Sequence, residues 1–263
     1  MVFFKRVADF LYRYVYALVS SVYLFTLGLA HRRNRDFIHS VAAHFGYVQI
    51  KAVLPLVPVE ALTSDDTLIQ MRQVTQVDGN VNLLEMIAIV KMARERDCRR
   101  LMELGTFDGR TTLNLAANTA PEAQVFTLDL PPTGKAELPL AANEQHYIKK
   151  DASGLRYQGT DYEGKIVQLY GDSAKFDFSP YFGTMDLVFV DASHSYEYVL
   201  SDSRVARKLL GPAGGVIFWH DYGTWIGVTR ALEELRAGDP RFQGLRRVTG
   251  TALACLVVGP EAP

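Results

Sequence analysis

The chain has 263 residues, 48% of them hydrophobic, enough for one full α/β domain with a sizeable core and a short appendage. Its 28 basic and 29 acidic residues leave a formal net charge of -1, which removes any general electrostatic case for nucleic-acid binding. Cys98 and Cys255 stand far apart, in neither a disulfide framework nor a zinc-type spacing; both read as packing residues of a protein kept in a reducing cytoplasm.

The first thirty-odd residues differ from the rest. From Tyr14 to Ala30 no side chain is charged, with Lys5, Arg6 and Arg13 before the run and His31, Arg32, Arg33 and Arg35 after it. A membrane span needs roughly 20 apolar residues, and this run holds Ser20, Ser21, Thr26 and Gly28. It carries no A-x-A cleavage site, which argues against a signal peptide. The aromatics Phe3, Phe4, Phe10, Tyr12, Tyr14, Tyr16, Tyr23 and Phe25, flanked by arginines, suit a membrane interface. Two readings of residues 1–35 stand open: contact with a membrane surface, hence peripheral attachment at its inner face, or a helix that forms a homo-oligomer. Residues 1–49 are therefore expected as a hydrophobic helical segment. Residues 50–63, with Pro55 and Pro58, read as an extended linker, and residues 64–263 as the main domain.

The spacing of Val81, Leu84, Ile87, Ala88 and Met92 predicts a helix over 81–97, capped by Asn80 after an Asp78-Gly79 turn. From residue 101 strands and helices alternate. Strands are expected at 101–104, 125–129, 165–170, 185–191 and 215–220, helices at 110–118, 195–210 and 228–236, and a terminal hairpin over 245–259. Near-continuous apolar strands separated by helices indicate a mostly parallel, Rossmann-like sheet covered on both faces. Residues 131–164, long, polar and rich in proline and glycine, read as a lid or substrate loop, or as a stretch with an extra helix.

In such a sheet the ligand lies beyond the carboxyl ends of the strands. After the first of these strands comes Glu103-Leu-Gly105-Thr106-Phe107-Asp-Gly109-Arg-Thr111. Gly105 allows a tight turn and close backbone approach, and Gly109 close passage into the next helix. Phe107 stands where a dinucleotide fingerprint needs its middle glycine. The second strand ends in Asp129, twenty-four residues past Gly105, where a carboxylate can accept from both hydroxyls of a ribose. The third ends in Gly171-Asp172-Ser173, with Asp172 placed to accept from an exocyclic adenine amine. Each acid alone would read as a cap or turn residue; three at successive strand ends behind a glycine turn point to a nucleoside site.

These motifs resemble those of class I S-adenosylmethionine-dependent methyltransferases. The run DLVFVDASHSYEYVLSDS…LLGPAGGVIFWHDY is similar to the methyltransferase domain 24 family, related to macrocin-type and cephalosporin-biosynthesis O-methyltransferases. The resemblance covers residues 76–258. It implies a seven-stranded sheet with an antiparallel last strand, S-adenosylmethionine as donor, and a donor site of Glu103, Gly105, Thr106, Phe107, Gly109, Thr111, Asp129, Asp172, Ser173 and Asp191. It further implies His194 as general base with Asp191, and Asp191, His220 and Asp221 around a divalent ion, magnesium or manganese. His220 departs from the acid of those relatives, and imidazole suits manganese, iron or zinc better than magnesium. A histidine and a metal at one sheet edge is what removing an alcohol proton needs, so the implied reaction is O-methylation of a small-molecule or glycan hydroxyl. Two rivals remain: a nicotinamide-dependent oxidoreductase, opposed by Phe107 and the lack of a second nucleotide-binding half, and a non-catalytic assembly protein, opposed by intact Gly105, Gly109 and Asp129.

Overall fold

The computed structural model describes residues 2–44, 50–141, 144–148 and 150–260, and the chain divides into two compact units, residues 1–50 and 51–263. The first unit holds α1 (Val2–Leu24), a short 3-10 turn (Leu27–Ala30) and α2 (Arg32–His44). Asn34 Nδ2 and Arg35 donate to the carbonyls of Gly28 and Leu29, so the turn between the helices is closed by the first residues of the second. Among the described residues no helix is long and apolar enough to cross a membrane.

The second unit is built on one sheet. Its strands are β1 (Leu56–Val57), β2 (Arg100–Leu104), β3 (Gln124–Asp129), β4 (Ile166–Tyr170), β5 (Leu187–Val190), β6 (Gly215–Trp219), β7 (Arg246–Val248) and β8 (Ala254–Val258). Their order is β1-β7-β8-β6-β5-β2-β3-β4, parallel except where β8 runs antiparallel to both β6 and β7. The sheet thus has eight strands, not seven. The additional one comes from the proline-bearing stretch read as a linker. Arg247 N donates to Pro55 O and Thr249 N to Val57 O, so an edge position accommodates the prolines without losing a ladder bond. The antiparallel last strand is as expected.

Strand parity divides the core. Met102, Leu104, Val188, Val190, Ile217 and Trp219 face one way, under α6 (Tyr196–Leu209) and α7 (Ile226–Gly238). Leu101, Val125, Leu187, Phe189, Val216 and Phe218 face the other, under α3 (Leu83–Glu95) and α4 (Arg110–Ala117). Burial on both faces is why these strands read as unbroken apolar runs. Cys98 and Cys255 are free and buried, and burial pushes both thiols up to about 12, as packing residues require.

The start of α3 differs from expectation. Asn82, not Asn80, is the N-cap, in a reciprocal capping box with Glu85. Asn80 turns instead to accept from Val77 N and donate to Asp108. The buried face is accordingly Met86, Ala88, Ile89, Val90, Met92 and Ala93, while Leu84 is exposed. The 131–164 stretch contains α5 (Gln145–Ile148).

Candidate active site

A cavity of about 360 Å³ opens at the carboxyl ends of β2, β3, β4, β5 and β6. The cavity lies where a doubly wound sheet places its ligand. Among the residues singled out in the sequence, Gly105, Phe107, Asp129, Asp172, Ser173, Asp191, His194, His220 and Asp221 line it. Glu103, Thr106, Gly109 and Thr111 do not.

Parity explains Glu103. It shares the face of Leu101, so its side chain is buried beneath α4, where Thr112 Oγ1 and Thr127 Oγ1 donate to its Oε2. Burial pushes this carboxyl up to about 8 against the two hydroxyl donors. Thr106 is also buried, bonded to Thr127 and to Gln168 Nε2. Gly109 is the left-handed N-cap of α4 (φ +85°), packed against Tyr157, and Thr111 is buried in that helix. These four residues shape the loop rather than face the cavity.

The loop itself is held in an unusual geometry. Phe107, a non-glycine residue, has φ +49°, and its N–H donates to Asp129 Oδ2 at 2.9 Å. Asp129 also accepts from Leu130 N and from Lys150 Nζ. Asp172 accepts from Tyr198 Oη at 2.6 Å, from Glu137 N at 2.7 Å and from Ala174 N at 2.8 Å. The 131–164 stretch therefore lies against both acids. Its Ala136, Leu140, Glu144, Tyr147, Ile148 and Lys150 form one wall of the cavity.

At the other end of the cavity four acids surround two imidazoles. His194 Nδ1 is 2.7 Å from Glu144 Oε1 and its Nε2 is 2.7 Å from Asp221 Oδ2. The His194 backbone N–H also donates to Glu144, and its ring stacks on Trp225 at 4.3 Å and 15°. Burial opposes a charged ring there, yet the two carboxylates outweigh it and push His194 up to about 10. His220 Nδ1 lies 3.1 Å from Asp221 Oδ2 and 3.3 Å from Asp191 Oδ1, and its Nε2 is 3.1 Å from Glu85 Oε2. Burial again opposes charge, and Asp191 and Asp221 outweigh it, raising His220 well above its ordinary value. Asp221, burial notwithstanding, is held well below the usual carboxylate range by the two rings. Its backbone is left-handed (φ +63°), which turns the carboxylate back between them.

The structure thus brings together all three residues proposed for a metal and the proposed base. Ligand atoms of Asp191, His194 and Asp221 lie within 4.8 Å of one another. Sequence reasoning missed Glu144, Glu85, Tyr147, Lys150, Tyr198 and Trp225. For Glu85 a signal existed: Asn82-x-x-Glu85 is a capping-box pattern, and the same carboxylate reaches His220 and Ala252 N. The others lie in an irregular loop, on a helix face or at a helix start, where no spacing rule locates a cavity wall.

Residues 102–222 match the model of a family described as a methyltransferase domain, the methyltransferase-24 family. No curated protein matches the chain. Among solved structures it is similar to cofactor-bound Rv0187 from MTB, with TM-score 0.51 and 19% identity over 72% of this chain and 85% of that one. It is also similar to the O-methyltransferase TomG from Streptomyces achromogenes, involved in tomaymycin synthesis and solved with SAM. That match has TM-score 0.50 and 18% identity over 77% of this chain and 100% of that one. The strand order and these likenesses agree in giving the second unit the fold of the class I methyltransferases, and residues 102–222 within it carry the methyltransferase-domain match.

Proposed function

We propose that the chain transfers a methyl group from S-adenosylmethionine to a hydroxyl oxygen of a small molecule or sugar. The observation that carries the reading is the juxtaposition in one cavity of a nucleoside-type set of strand-end acids with a group of proton-handling side chains, His194, Asp191 and Asp221. The cavity wall also fits a cationic donor: Asp78, Asp129, Glu144, Asp172, Asp191 and Asp221 line it, against Lys150 and two histidines. When bound, S-adenosylmethionine supplies a methyl group already activated on a positive sulfur.

On this reading Asp129 holds the ribose hydroxyls and Asp172 the adenine amine. Asp129 gives up its Lys150 partner for the ribose, exchanging one charged contact for two hydroxyl donors. Asp129→Ala then leaves those hydroxyls unpaired, which costs on the order of 1–3 kcal/mol. Calorimetric affinity for S-adenosylhomocysteine is expected to fall about tenfold or more; an unchanged affinity rejects the assignment.

His194 is proposed as the base. As it stands between Glu144 and Asp221 it holds a proton on each nitrogen, so one partner carboxylate must take its proton and withdraw before the ring can accept the proton of the acceptor hydroxyl. Glu144 is that partner, because the loop between β3 and β4 carries it, whereas Asp221 is fixed at the end of β6. A second reading has its own support in the clustered ligand atoms of Asp191, His194 and Asp221. Two carboxylates and an imidazole fit a divalent ion, with manganese favoured over magnesium. In that case Asp191, His194 and Asp221 would hold the ion, which would supply Lewis acidity toward the acceptor hydroxyl, and His194 would serve as a ligand rather than as the base. His220, proposed from the sequence as a ligand, would then orient Asp191 and Asp221 from its anchor on Glu85.

An acceptor screen with methyl-labelled donor tests the whole reading. Phenols, sugars and amines are offered to the full chain with and without exhaustive chelation. Label recovered as methyl ether supports the proposal; transfer only to amines overturns the oxygen assignment. Activity abolished by chelation and restored by manganese selects the ion over the free base.

A further inference from the structure

The first unit carries a feature that catalysis does not use. Numbered along α1, Val7, Leu11, Val15, Leu18 and Val22 recur every three or four residues and so form one stripe. All five are exposed, from 39% at Val7 to 59% at Val22. The opposite side carries Asp9, Arg13, Tyr16 and Ser20, with Arg13 paired to Asp9 at 3.1 Å. Tyr12, Tyr14 and Tyr23 are exposed as well, in the sectors between stripe and polar side or beside the stripe. An apolar stripe of this length, rimmed by tyrosines and left uncovered, marks a surface that meets something else.

Charge identifies what. Residues 1–50 hold six lysines and arginines against two aspartates, whereas residues 51–263 hold 22 basic against 27 acidic side chains. The positive excess of an otherwise negative chain is therefore gathered on this one unit. Arg32, Arg33 and Arg35 stand in the first turn of α2, just past the Leu27–Ala30 turn that follows α1. Stacking the stripe against a second copy would bring like-charged flanks together, with Asp9 as the one acid of α1 to offset Lys5, Arg6 and Arg13. An anionic lipid surface suits both halves of the helix at once: headgroups meet the arginines, and the acyl boundary takes the stripe. A crossing orientation is disfavoured by Arg13, which sits at the midpoint of the 23-residue helix and would be carried to the hydrocarbon centre.

We infer that α1 lies in the plane of an anionic membrane surface, its Val7–Leu11–Val15–Leu18–Val22 stripe toward the acyl chains, and tethers the enzyme there. The inference does not depend on the acceptor or on the metal.

The test is vesicle flotation of the full chain on phosphatidylcholine alone and on phosphatidylcholine with phosphatidylserine. Binding to the serine-containing vesicles is expected to be about tenfold tighter or more, and to weaken as salt is raised. The double variant Leu11→Glu, Leu18→Glu is expected to float with neither, with an unchanged thermal-unfolding midpoint for the second unit showing that it is intact. Replacing Arg32 and Arg33 by glutamine is expected to remove most of the preference for anionic vesicles without touching the stripe. Equal or absent binding to both vesicle types overturns the inference. So does a solution dimer that the glutamate pair dissociates while vesicle binding is nil, which would make a second copy the occupant of the stripe.

Discussion

Gly105→Ala is expected to destabilise the second unit by about 3 kcal/mol or more, or to prevent its folding. Gly105 follows the last residue of β2 at φ +102°, a conformation L side chains rarely adopt. A Cβ there would stand 1.9 Å from the Asp191 carbonyl oxygen and 2.6 Å from its carbon. Both are backbone atoms at the end of β5, and that segment is pinned by the bond from Asp191 N to Leu104 O. Relief therefore means spreading β2 from β5, which moves Asp191 and the cavity floor together. Gly159→Ala is the matched control. It too has a positive φ, +70°, but nothing lies within 4 Å of its added carbon, so it should cost about 1–2 kcal/mol from the dihedral alone. Urea unfolding of the two variants separates the terms; equal losses would show that the clash at Gly105 is absorbed and that dihedral strain is the whole effect.

His194→Ala is expected to lower turnover about 10²–10⁴-fold while leaving donor affinity nearly unchanged. The ring is held at three places, Nδ1, Nε2 and its stacked face on Trp225, so its removal leaves Glu144 and Asp221 facing each other without a cation between them. Two carboxylates freed in this way repel, so part of the loss will be structural. His194→Gln restores hydrogen bonding without a basic nitrogen, and it separates the roles. If Gln recovers turnover, His194 is a spacer. If turnover stays low while donor affinity by calorimetry matches the native chain, the ring acts on the acceptor's proton or on an ion. Full turnover in both variants, in an assay limited by chemistry, would remove His194 from the mechanism.

Much of the fold could be read from residues alone, because parallel strands buried on both faces leave runs such as Leu187–Val190 and Gly215–Trp219 with no polar interruption. β1 could not. It has two residues between prolines, and it is a strand only because β7 offers it an edge. The cavity-lining acids Asp129, Asp172, Asp191 and Asp221 were legible because strand ends in such a sheet converge by topology. Whether a residue near a strand end faces the cavity or the layer below is a matter of parity and local turn, which is why residues alone do not separate Glu103 and Thr106, buried below the loop, from those that line the cavity. Glu144 was not legible at all. Its place depends on how an irregular stretch folds back over the sheet, and its partner His194 lies fifty positions away.

The position of β8 has a consequence for how the chain is made. It follows every other strand in sequence, yet it lies between β6 and β7, and β1 reaches the sheet only through β7. Until Ala254–Val258 leaves the ribosome, the nascent sheet ends at β6, whose Gly215–Trp219 backbone is an open, apolar edge. Residues 54–57, synthesised long before, wait without a place to pair. The sheet therefore closes in its middle and last, a high-contact-order step that favours slow completion and makes the interval before it the time of greatest exposure to edge-to-edge aggregation.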